Sequence, residues 1–209
     1  AGVIRPSSAS HYSQVLLTPK TDGSWRFCID YRRLNLHTRA PQWPLPNIEA
    51  MLRRLGDRRP LFFAVMDLTK GYFQAPLAEE SRHLTAFKTE EGLFEWTRVP
   101  MGLTGAPSYF QRAMMCDVLQ ETLRLGLNEV YLDDIVTDGD TTERFLANLD
   151  TVMHKLADAN ITVNPDKCKL GLQEVEYVGH TISKEGVHFT REKLERVIAI
   201  PQPQTAKQL

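Results

Sequence analysis

NEVYLDDIVT, at residues 128–137, places two adjacent carboxylates, Asp133 and Asp134, between two apolar runs. A second segment, LFFAVMDL at residues 61–68, has the length of a buried β-strand and contains one carboxylate, Asp67. An ionised aspartate in such a strand is costly unless it is paired, hydrogen-bonded or bound to a metal ion. We therefore predict that residues 61–68 pair beside a hairpin formed by residues 128–137, so that the three carboxylates converge.

These carboxylates require a cationic partner. No His or Lys lies next to Asp133 and Asp134 in the sequence, and a divalent cation converts their repulsion into coordination. Oxygen ligands alone suit Mg²⁺ or Mn²⁺. Two such ions about 3.5–4 Å apart stabilise the attacking and leaving oxygens of a phosphoryl transfer, so the pattern predicts nucleotidyl transfer or phosphodiester hydrolysis. The structural alternative is that the Asp pair only forms a turn and Asp67 only ends a strand.

Predicted strands and helices alternate along the rest of the chain, which indicates an α+β fold. Apolar patterns and turn signals predict further strands at residues 15–17, 25–30, 85–88, 93–98, 163–170 and 175–183. The first two flank the turn signal of Asp22 and Gly23, which predicts a hairpin.

Helix signals occur at four places. Asn47 is a predicted N-cap, Pro107 opens one long predicted helix that runs through residue 120, Asp140 and Glu143 form a capping pattern, and Thr190 precedes a last helix. The prolines after residue 200 predict an extended linker.

The composition excludes several classes of protein. With 209 residues, 42% hydrophobic and 24% charged, the chain can form a core, which excludes disorder, collagen and coiled coil. No apolar run reaches the roughly 18–20 residues that cross a bilayer, so no membrane partner is expected. Cysteines at positions 28, 116 and 168 form no CxxC pair, so a zinc site and a disulfide framework are not indicated. The GxSxG, GxxxxGK, GxGxxG and HExxH motifs are absent as well.

Charge is segregated along the chain, although the net charge is only −1. Residues 20–59 contain nine Lys and Arg against four Asp and Glu, whereas residues 133–158 contain seven acidic against two basic residues. Each stretch can be an ordinary solvated surface. Together they also match an enzyme that binds phosphates in one place and metal ions in another.

Five ordered blocks carry a resemblance to a known family. They are DGSWRFCIDYRRLN at 22–35, VMDLTKGYFQAPL at 65–77, VPMGLTGAPSYFQRAM at 99–114, YLDD at 131–134 and NPDKCKLGLQEVEYVGHTIS at 164–183. In order and spacing these blocks resemble a reverse transcriptase, with gypsy-type long-terminal-repeat retrotransposons and retroviruses as the closest kin. The resemblance implies an RNA-directed DNA polymerase with the right-hand fold, whose palm is a mainly antiparallel sheet backed by helices.

The resemblance also implies roles for individual residues. Asp67, Asp133 and Asp134 would be the catalytic carboxylates and, with the carbonyl of Leu68, would hold two Mg²⁺ ions, for which Mn²⁺ can substitute. Either Lys167 or Lys169 would be the general acid for the pyrophosphate leaving group.

Substrate contacts follow from the same resemblance. The implied nucleotide-binding residues are Lys20 and Arg26 at the triphosphate, Gly71 and the steric gate Tyr72 at the sugar, and Met101 and Gly102 along the pocket. Met101 departs from the Gln of retroviruses and the Phe usual in gypsy-type elements, so only a packing role is implied for it. The implied primer and template contacts are Pro107, Leu132, Val178, Gly179 and His180.

A division into subdomains completes these expectations. Fingers are expected at residues 1–42 and 75–105, palm at 43–74 and 106–188, and the beginning of a thumb or linker at 189–209. Because the chain starts with Ala and ends in a polar stretch, we expect a piece of a longer polyprotein, with RNase H and integrase as neighbouring domains or a homodimer as the assembly. Its expected location is a cytoplasmic virus-like particle or the nucleus.

The expected partners are a primer on an RNA or DNA template and deoxynucleoside triphosphates. One alternative is a polymerase fragment that binds primer and template but does not extend the primer. A second alternative is another two-metal enzyme, either a nuclease or an RNA-templated RNA polymerase, since these share the carboxylates.

Overall fold

The computed structural model describes residues 2–20, 23–40 and 42–199. The strands are β1 Ile4–Pro6, β2 Val15–Pro19, β3 Trp25–Ile29, β4 Phe62–Asp67, β5 Phe87–Thr89, β6 Gly92–Trp96, β7 Asn128–Tyr131, β8 Asp134–Gly139, β9 Lys169–Leu172, β10 Glu174–Tyr177, β11 His180–Ser183 and β12 Gly186–Phe189. The helices are α1 Arg32–Leu36, α2 Ile48–Asp57, α3 Glu79–Arg82, α4 Ala106–Arg112, α5 Gln120–Arg124, α6 Thr142–Asp158 and α7 Arg191–Ile198. In the described residues, no helix is long and apolar enough to cross a membrane.

A four-stranded sheet with the order β7-β8-β4-β9 forms the centre of the fold. The predicted pairing of residues 61–68 with the hairpin is confirmed, because β4 lies antiparallel to β8 and β8 lies antiparallel to β7. The register places Asp67 directly opposite Asp134. The predicted carboxylate strands are therefore neighbours, and their charged ends lie at the same edge.

Both faces of this sheet are buried, which explains the nearly continuous apolar runs of its strands. On one face Met66 and Ile135 pack with Phe110 of α4 and with Val152 of α6. On the opposite face the buried side chains come from α2, β4, β8 and the sheet β10-β11-β12, and include Met51, Leu55, Phe63, Val136 and Tyr177. The antiparallel sheet backed by helices agrees with the expected fold class.

A third cluster of buried side chains lies beside two smaller sheets. These sheets have the orders β1-β6-β5 and β2-β3. Ile29, Tyr31, Phe87 and Trp96 form the cluster, and the buried hydroxyl of Tyr31 donates a hydrogen bond to the carbonyl of Thr85 at 2.8 Å. At the tip of the β2–β3 hairpin, Gly23 has φ 78°, as the predicted turn requires. Asp22 lies outside the described residues.

Asn47 caps α2 as predicted, because its side chain accepts a hydrogen bond from the backbone N–H of Ala50. The predicted capping pattern of Asp140 with Glu143 is wrong. The N-cap of α6 is Thr141, whose hydroxyl accepts from the N–H of Arg144, while the Asp140 carboxylate forms an ion pair with Arg144 at 2.8 Å.

The predicted long helix after Pro107 is interrupted. Its α-helical part ends at Arg112, a wider π-helical turn covers Ala113–Val118, and α5 begins at Gln120. Leu119 adopts φ −108° and ψ 14° between the two segments and is completely buried. The chain bends at Leu119, where its side chain enters the core. Contacts with distant residues determine this bend, so the local sequence did not predict it.

Two predicted strands are also shorter than expected. Residues 163–170 are mainly a turn, in which the side chain of Asn164 accepts from the N–H of Asp166, and only β9 follows as a strand. Residues 175–183 form the β10–β11 hairpin, because Val178 and Gly179 both have positive φ, at 48° and 72°. Two such residues form the tight turn favoured between antiparallel strands. The prolines after residue 200 lie outside the described residues.

Candidate active site

The three aspartates lie at one edge of the central sheet. Asp67 ends β4 and Asp134 begins β8, directly opposite each other. Asp133 lies in the two-residue turn between β7 and β8, after Leu132, which adopts φ 54°. The carbonyl of Asp133 accepts a hydrogen bond from the N–H of Leu68 at 3.1 Å, which ties the turn to the end of β4. The structure therefore brings together the residues that the sequence predicts to converge.

The negative charge at this edge is only partly compensated. Burial, followed by the neighbouring charges of Asp133 and Asp67, raises the pKa of Asp134 to about 6. Burial and the charge of Asp133 raise the pKa of the Tyr72 hydroxyl as well. The Nζ atom of Lys167 lies 3.2 Å and 3.3 Å from the two carboxylate oxygens of Asp67. Among the residues that the structure describes, one ammonium thus lies beside three carboxylates, so the site favours additional positive charge.

The donor chemistry suits a hard divalent cation. The protein side chains do not form a complete metal site by themselves: in residues 2–20, 23–40 and 42–199, no group of three or more His, Cys, Asp or Glu side chains is arranged to hold a metal ion. Other ligands would therefore have to complete the coordination. Mg²⁺ at nucleotide sites is commonly bound by one or two carboxylates, with phosphate oxygens and water as the remaining ligands. The opposed carboxylates of Asp67 and Asp134, with Asp133 beside them, fit that kind of site.

Lys167 and Lys169 occupy different environments. Lys167 follows the turn at residues 164–166 and forms the ion pair with Asp67. Lys169 is an exposed residue of β9, opposite Val65 of β4. Of the two lysines that the sequence leaves open, only Lys167 contacts one of the carboxylates in the described part of the chain.

Gly71 and Tyr72 lie against the Asp133 turn. A Cβ atom at Gly71 would lie 3.0 Å from the Cβ of Asp133 and 3.5 Å from the ring of Phe110. The ring of Tyr72 packs edge-on against Phe110 with 5.3 Å between ring centroids. This close packing places the predicted steric gate beside the carboxylates.

The other predicted nucleotide contacts lie on separate elements. Met101 is half exposed and precedes Gly102, which has φ 96°. The side chain of Asn35 holds this loop, because its amide donates to the carbonyl of Gly102 at 2.9 Å and its oxygen accepts from the N–H of Thr104 at 3.0 Å. Arg26 lies on β3 opposite Thr18 of β2.

Lys20 follows β2 at the base of the hairpin turn, and its side chain is exposed. Its backbone N–H donates to the carbonyl of Ser24 at 2.8 Å. Lys20 thus lies near Arg26, on an exposed hairpin distinct from the carboxylate edge.

The predicted primer and template residues flank the sheet. Pro107 lies in the first turn of α4, and Val178 and Gly179 form the β10–β11 turn, with the His180 ring 3.0 Å from the carbonyl of Val178. Tyr177, just before this turn, is buried and donates its hydroxyl to the carbonyl of Asp134 at 3.3 Å. The β10–β11 hairpin is therefore attached to the strand that begins with Asp134.

Gln111 is a site residue that the sequence analysis missed. Its side chain is completely buried on α4, donates to the carbonyl of Val130 at 3.2 Å and accepts from the N–H of Leu132 at 2.7 Å. These two hydrogen bonds hold both sides of the turn that carries Asp133. The only signal in the sequence was a polar residue one helical turn after Pro107. Its function could not be predicted, because its partner Leu132 lies 21 positions away.

Replacing Gln111 with methionine, which has a similar size, is expected to lower the rate of the primer extension that the five sequence blocks imply by about 10- to 100-fold. The change removes both hydrogen bonds, and a displacement of about 1 Å in a reacting group can cost about 100-fold in rate. Single-turnover incorporation of one nucleotide measures the effect. The exposed Gln120 provides the control Gln120→Met, and an equal rate for both variants would contradict a positioning role for Gln111.

Two arginines of the basic stretch at residues 20–59 form ion pairs within the fold. Arg54 of α2 and Arg58, which directly follows α2, pair with the buried carboxylate of Glu129 at 2.7 Å and 3.3 Å. Arg58 also pairs with the buried Asp138 at 2.6 Å. These two arginines neutralise carboxylates of the central sheet. Arg54 and Arg58 therefore have a structural role, and phosphate binding by the other basic residues of the stretch 20–59 stays a prediction.

Comparisons with known proteins identify the family of this chain. Residues 18–182 match the model of the family described as "Reverse transcriptase (RNA-dependent DNA polymerase)". The retrovirus-related Pol polyproteins from transposons 297 and gypsy of Drosophila melanogaster are each 36% identical to this chain, over 100% and 97% of its length respectively. The chain spans 20% of the length of each of these relatives.

Solved structures are similar as well. Foamy viral protease-reverse transcriptase in complex with double-stranded DNA has a TM-score of 0.82 at 28% identity, covering 99% of this chain and 36% of that chain. The same type of protein in complex with an RNA/DNA hybrid has a TM-score of 0.80 at 27% identity, covering 99% of this chain and 27% of that chain.

The antiparallel sheet with carboxylates at one edge lies in a fold that is similar to solved reverse transcriptase structures. The chain belongs to the reverse transcriptase family. Its reverse transcriptase domain is homologous to the RNA-directed DNA polymerases of retrotransposons and retroviruses, a family that generally depends on divalent metal ions.

Proposed function

We propose that this domain extends a primer on an RNA or DNA template by adding deoxynucleotides to its 3′-hydroxyl. The observation that carries the proposal is the placement of Asp67 opposite Asp134, with Asp133 in the adjoining turn, in a chain of the reverse transcriptase family. Three carboxylates beside one ammonium lower the stability of the sheet, because like charges at neighbouring strand positions repel each other. A functional role explains their presence better than a structural one.

Different residues of the chain would bind the metal ions and donate the proton. Asp67, Asp133 and Asp134, with the carbonyl of Leu68, would hold two Mg²⁺ ions or their Mn²⁺ substitutes, which supply the charge that activates the primer hydroxyl and stabilises the transferred phosphate. Lys167 would exchange its ion pair with Asp67 for a contact with the pyrophosphate leaving group and donate a proton there. Lys169 is the less suitable acid because it lies on the exposed edge strand β9.

The remaining residues would bind substrate. Arg26 and Lys20 on the exposed β2–β3 hairpin would contact the triphosphate, for which a planar guanidinium fork and a compact ammonium are suited. Gly102 would allow close approach of the nucleotide, with Met101 packing beside it.

Primer and template would lie along the carboxylate edge. Leu132 would touch the terminal primer nucleotide, and the turn of Val178 and Gly179 with His180 would hold the primer strand. Pro107 would contact the template. The hydrogen bond from Tyr177 to the Asp134 carbonyl supports this arrangement because it joins the β10–β11 hairpin to the carboxylate strand.

The assembly is part of the same proposal. Residues 1–42 and 75–105 would act as fingers, 43–74 and 106–188 as palm, and 189–209 as the beginning of a thumb. The relatives are polyproteins, so RNase H and integrase domains or a second copy of the chain are the proposed neighbours. The proposed location is a cytoplasmic virus-like particle or the nucleus.

The decisive experiment measures deoxynucleotide incorporation on a primed RNA template with Mg²⁺ and then with Mn²⁺. We expect extension with either ion and none in the presence of a chelator. Salt-dependent binding of primer–template without extension would instead favour the binding-only alternative. Degradation of the template would favour a two-metal nuclease.

Replacing Tyr72 with alanine is expected to reduce the preference for deoxynucleotides over ribonucleotides by about 10- to 100-fold. The ring of Tyr72 packs on Phe110 beside Asp133, so its removal opens space for a 2′-hydroxyl. The ratio of kcat/KM for the two substrates measures the effect. Tyr72→Phe retains the ring and is expected to retain the preference, and an unchanged ratio in Tyr72→Ala would contradict the gate assignment.

A further inference from the structure

The chain makes a tight turn just after β4. The N–H of Thr69 donates to the carbonyl of Thr162 at 3.0 Å, which extends the pairing beyond the end of the strand. Lys70 then adopts φ 50° and ψ 48°, and the 3-10 turn Gly71–Gln74 follows. We call residues 69–74, which include the predicted sugar gate, the gate turn.

Lys70 gives the gate turn a conformation that needs support from other residues. A left-handed backbone is unfavourable for a residue with a Cβ atom, and it persists only where the surrounding structure holds it. In the described part of the chain, the side chain of Lys70 makes no hydrogen bond that caps the turn. Other contacts therefore have to fix the gate turn.

Gln74 supplies these contacts through its side-chain amide. Its Nε2 atom donates to the carbonyl of Thr69 at 2.9 Å and to the carbonyl of Thr162 at 2.8 Å. Its Oε1 atom accepts from the backbone N–H of Thr162 at 2.7 Å and from the Thr162 hydroxyl at 3.3 Å. An amide has two donor hydrogens and two acceptor lone pairs, so the full hydrogen-bonding capacity of Gln74 is used.

The partners of Gln74 require an amide at this position. Two of them are carbonyl groups, which need a donor, and a third is an N–H group, which needs an acceptor. A carboxylate lacks the donor, and an apolar side chain lacks both. The side chain of Gln74 thus joins the first residue of the gate turn to the connection between α6 and β9.

The connection that Gln74 holds is itself attached to the carboxylate edge. The N–H of Asn164 donates to the carbonyl of Asp67 at 2.8 Å, and Lys167 pairs with the carboxylate of Asp67. Tyr72 lies two residues before Gln74, within the same 3-10 turn. The amide of Gln74 therefore fixes the position of the gate turn relative to the carboxylates.

We infer that Gln74 is a positioning residue that sets the discrimination between deoxynucleotides and ribonucleotides, an inference that rests on the proposed polymerase function. The two substrates differ by one hydroxyl group, so the ring of Tyr72 excludes the larger one only while its position is fixed. Without the amide, the turn at Lys70 relaxes and the ring moves. Discrimination then falls, because a ribonucleotide enters more easily.

Gln74→Met is the first test, because methionine has a similar size and removes all four hydrogen bonds. The measured quantity is the ratio of kcat/KM for a deoxynucleotide to that for the matching ribonucleotide, on one primer–template. We expect this ratio to fall about fivefold, with a rise in kcat/KM for the ribonucleotide. Both values come from one preparation, so the ratio does not depend on the folded fraction.

Gln74→Asn is a second variant, in case the methionine variant does not fold. It keeps the amide but shortens the side chain by one methylene group, and a smaller fall in the ratio is expected.

A double-mutant cycle tests whether Gln74 acts through Tyr72. When Gln74→Met is added to Tyr72→Ala, we expect no further change in the ratio, because the ring that Gln74 positions is already absent. If the effects of the two changes multiplied, Gln74 would act independently of the gate, and the inference would be overturned.

The matched control is Gln120→Met, which replaces an exposed glutamine of α5 and is expected to leave the ratio unchanged. A purely structural role for Gln74 would lower kcat/KM equally for both substrates. Such an equal loss, or an unchanged ratio in Gln74→Met, would overturn the inference. Failure of the proposed function is distinguishable, because the wild-type domain would then incorporate no deoxynucleotide.

Discussion

Replacing Asp133 with asparagine is expected to reduce primer extension by about three orders of magnitude or more, with the fold intact. Asparagine has nearly the same shape but lacks the negative charge that a bound cation requires. Folding should be unaffected or slightly favoured, because Asp133 contributes to the repulsion that raises the pKa of Asp134. Single-nucleotide incorporation with Mg²⁺ measures activity, and thermal unfolding without metal measures the fold.

Asp150→Asn is the control for this substitution. Asp150 is an exposed carboxylate of α6 that contacts His154 on the same helix, so its loss should leave extension unchanged. Substantial extension by Asp133→Asn would refute the assignment of Asp133 as a catalytic carboxylate. Loss of the folded state would instead show that Asp133 has a structural role that the geometry does not reveal.

Replacing Gly139 with alanine is expected to lower the free energy of unfolding by about 3 kcal/mol. A Cβ atom at this position would lie 2.5 Å from the backbone nitrogen of Phe145 and 2.6 Å from its Cα. These are backbone atoms in the first turn of α6, and that turn is fixed by the hydrogen bond from the Phe145 N–H to the carbonyl of Thr141. Strand β8 and α6 would have to separate, which urea unfolding detects.

Gly56→Ala provides a control that is expected to raise the free energy of unfolding. Gly56 lies within α2, and a Cβ atom there meets nothing within 4 Å. Alanine in a helix is favoured over glycine by about 0.5–1 kcal/mol, so this variant should be more stable than the wild type. If Gly139→Ala were as stable as Gly56→Ala, the close approach of β8 and α6 would not be required by the fold.

The local sequence was sufficient for several features of the site. The apolar run around Asp67 and the pair Asp133 and Asp134 predicted neighbouring strands because burial of an uncompensated carboxylate is costly. Asn47 predicted the start of α2 because its side chain accepts from an N–H only three residues away. These predictions depend on interactions within a few positions of the chain or on the energetic cost of a single residue.

Local patterns failed where distant packing decides the backbone. The helix after Pro107 is interrupted before the buried Leu119, although the sequence predicts one long helix through residue 120. From the sequence, Arg54 and Arg58 are part of a basic stretch. In the structure they neutralise Glu129 and Asp138, which lie about 70 to 80 positions away. The choice between a solvated cation and a buried ion pair depends on the partner, which the neighbouring sequence does not contain.

By itself, the sequence determined the carboxylate strands, the antiparallel sheet with its helices and the family to which the blocks correspond. Only the tertiary structure decided that Gln111 holds the Asp133 turn and that Lys167 and not Lys169 contacts Asp67. Strand and helix formation depend mainly on periodic burial along the chain. Hydrogen bonds and ion pairs between distant segments depend on distances of a few ångströms that exist only after those segments have packed.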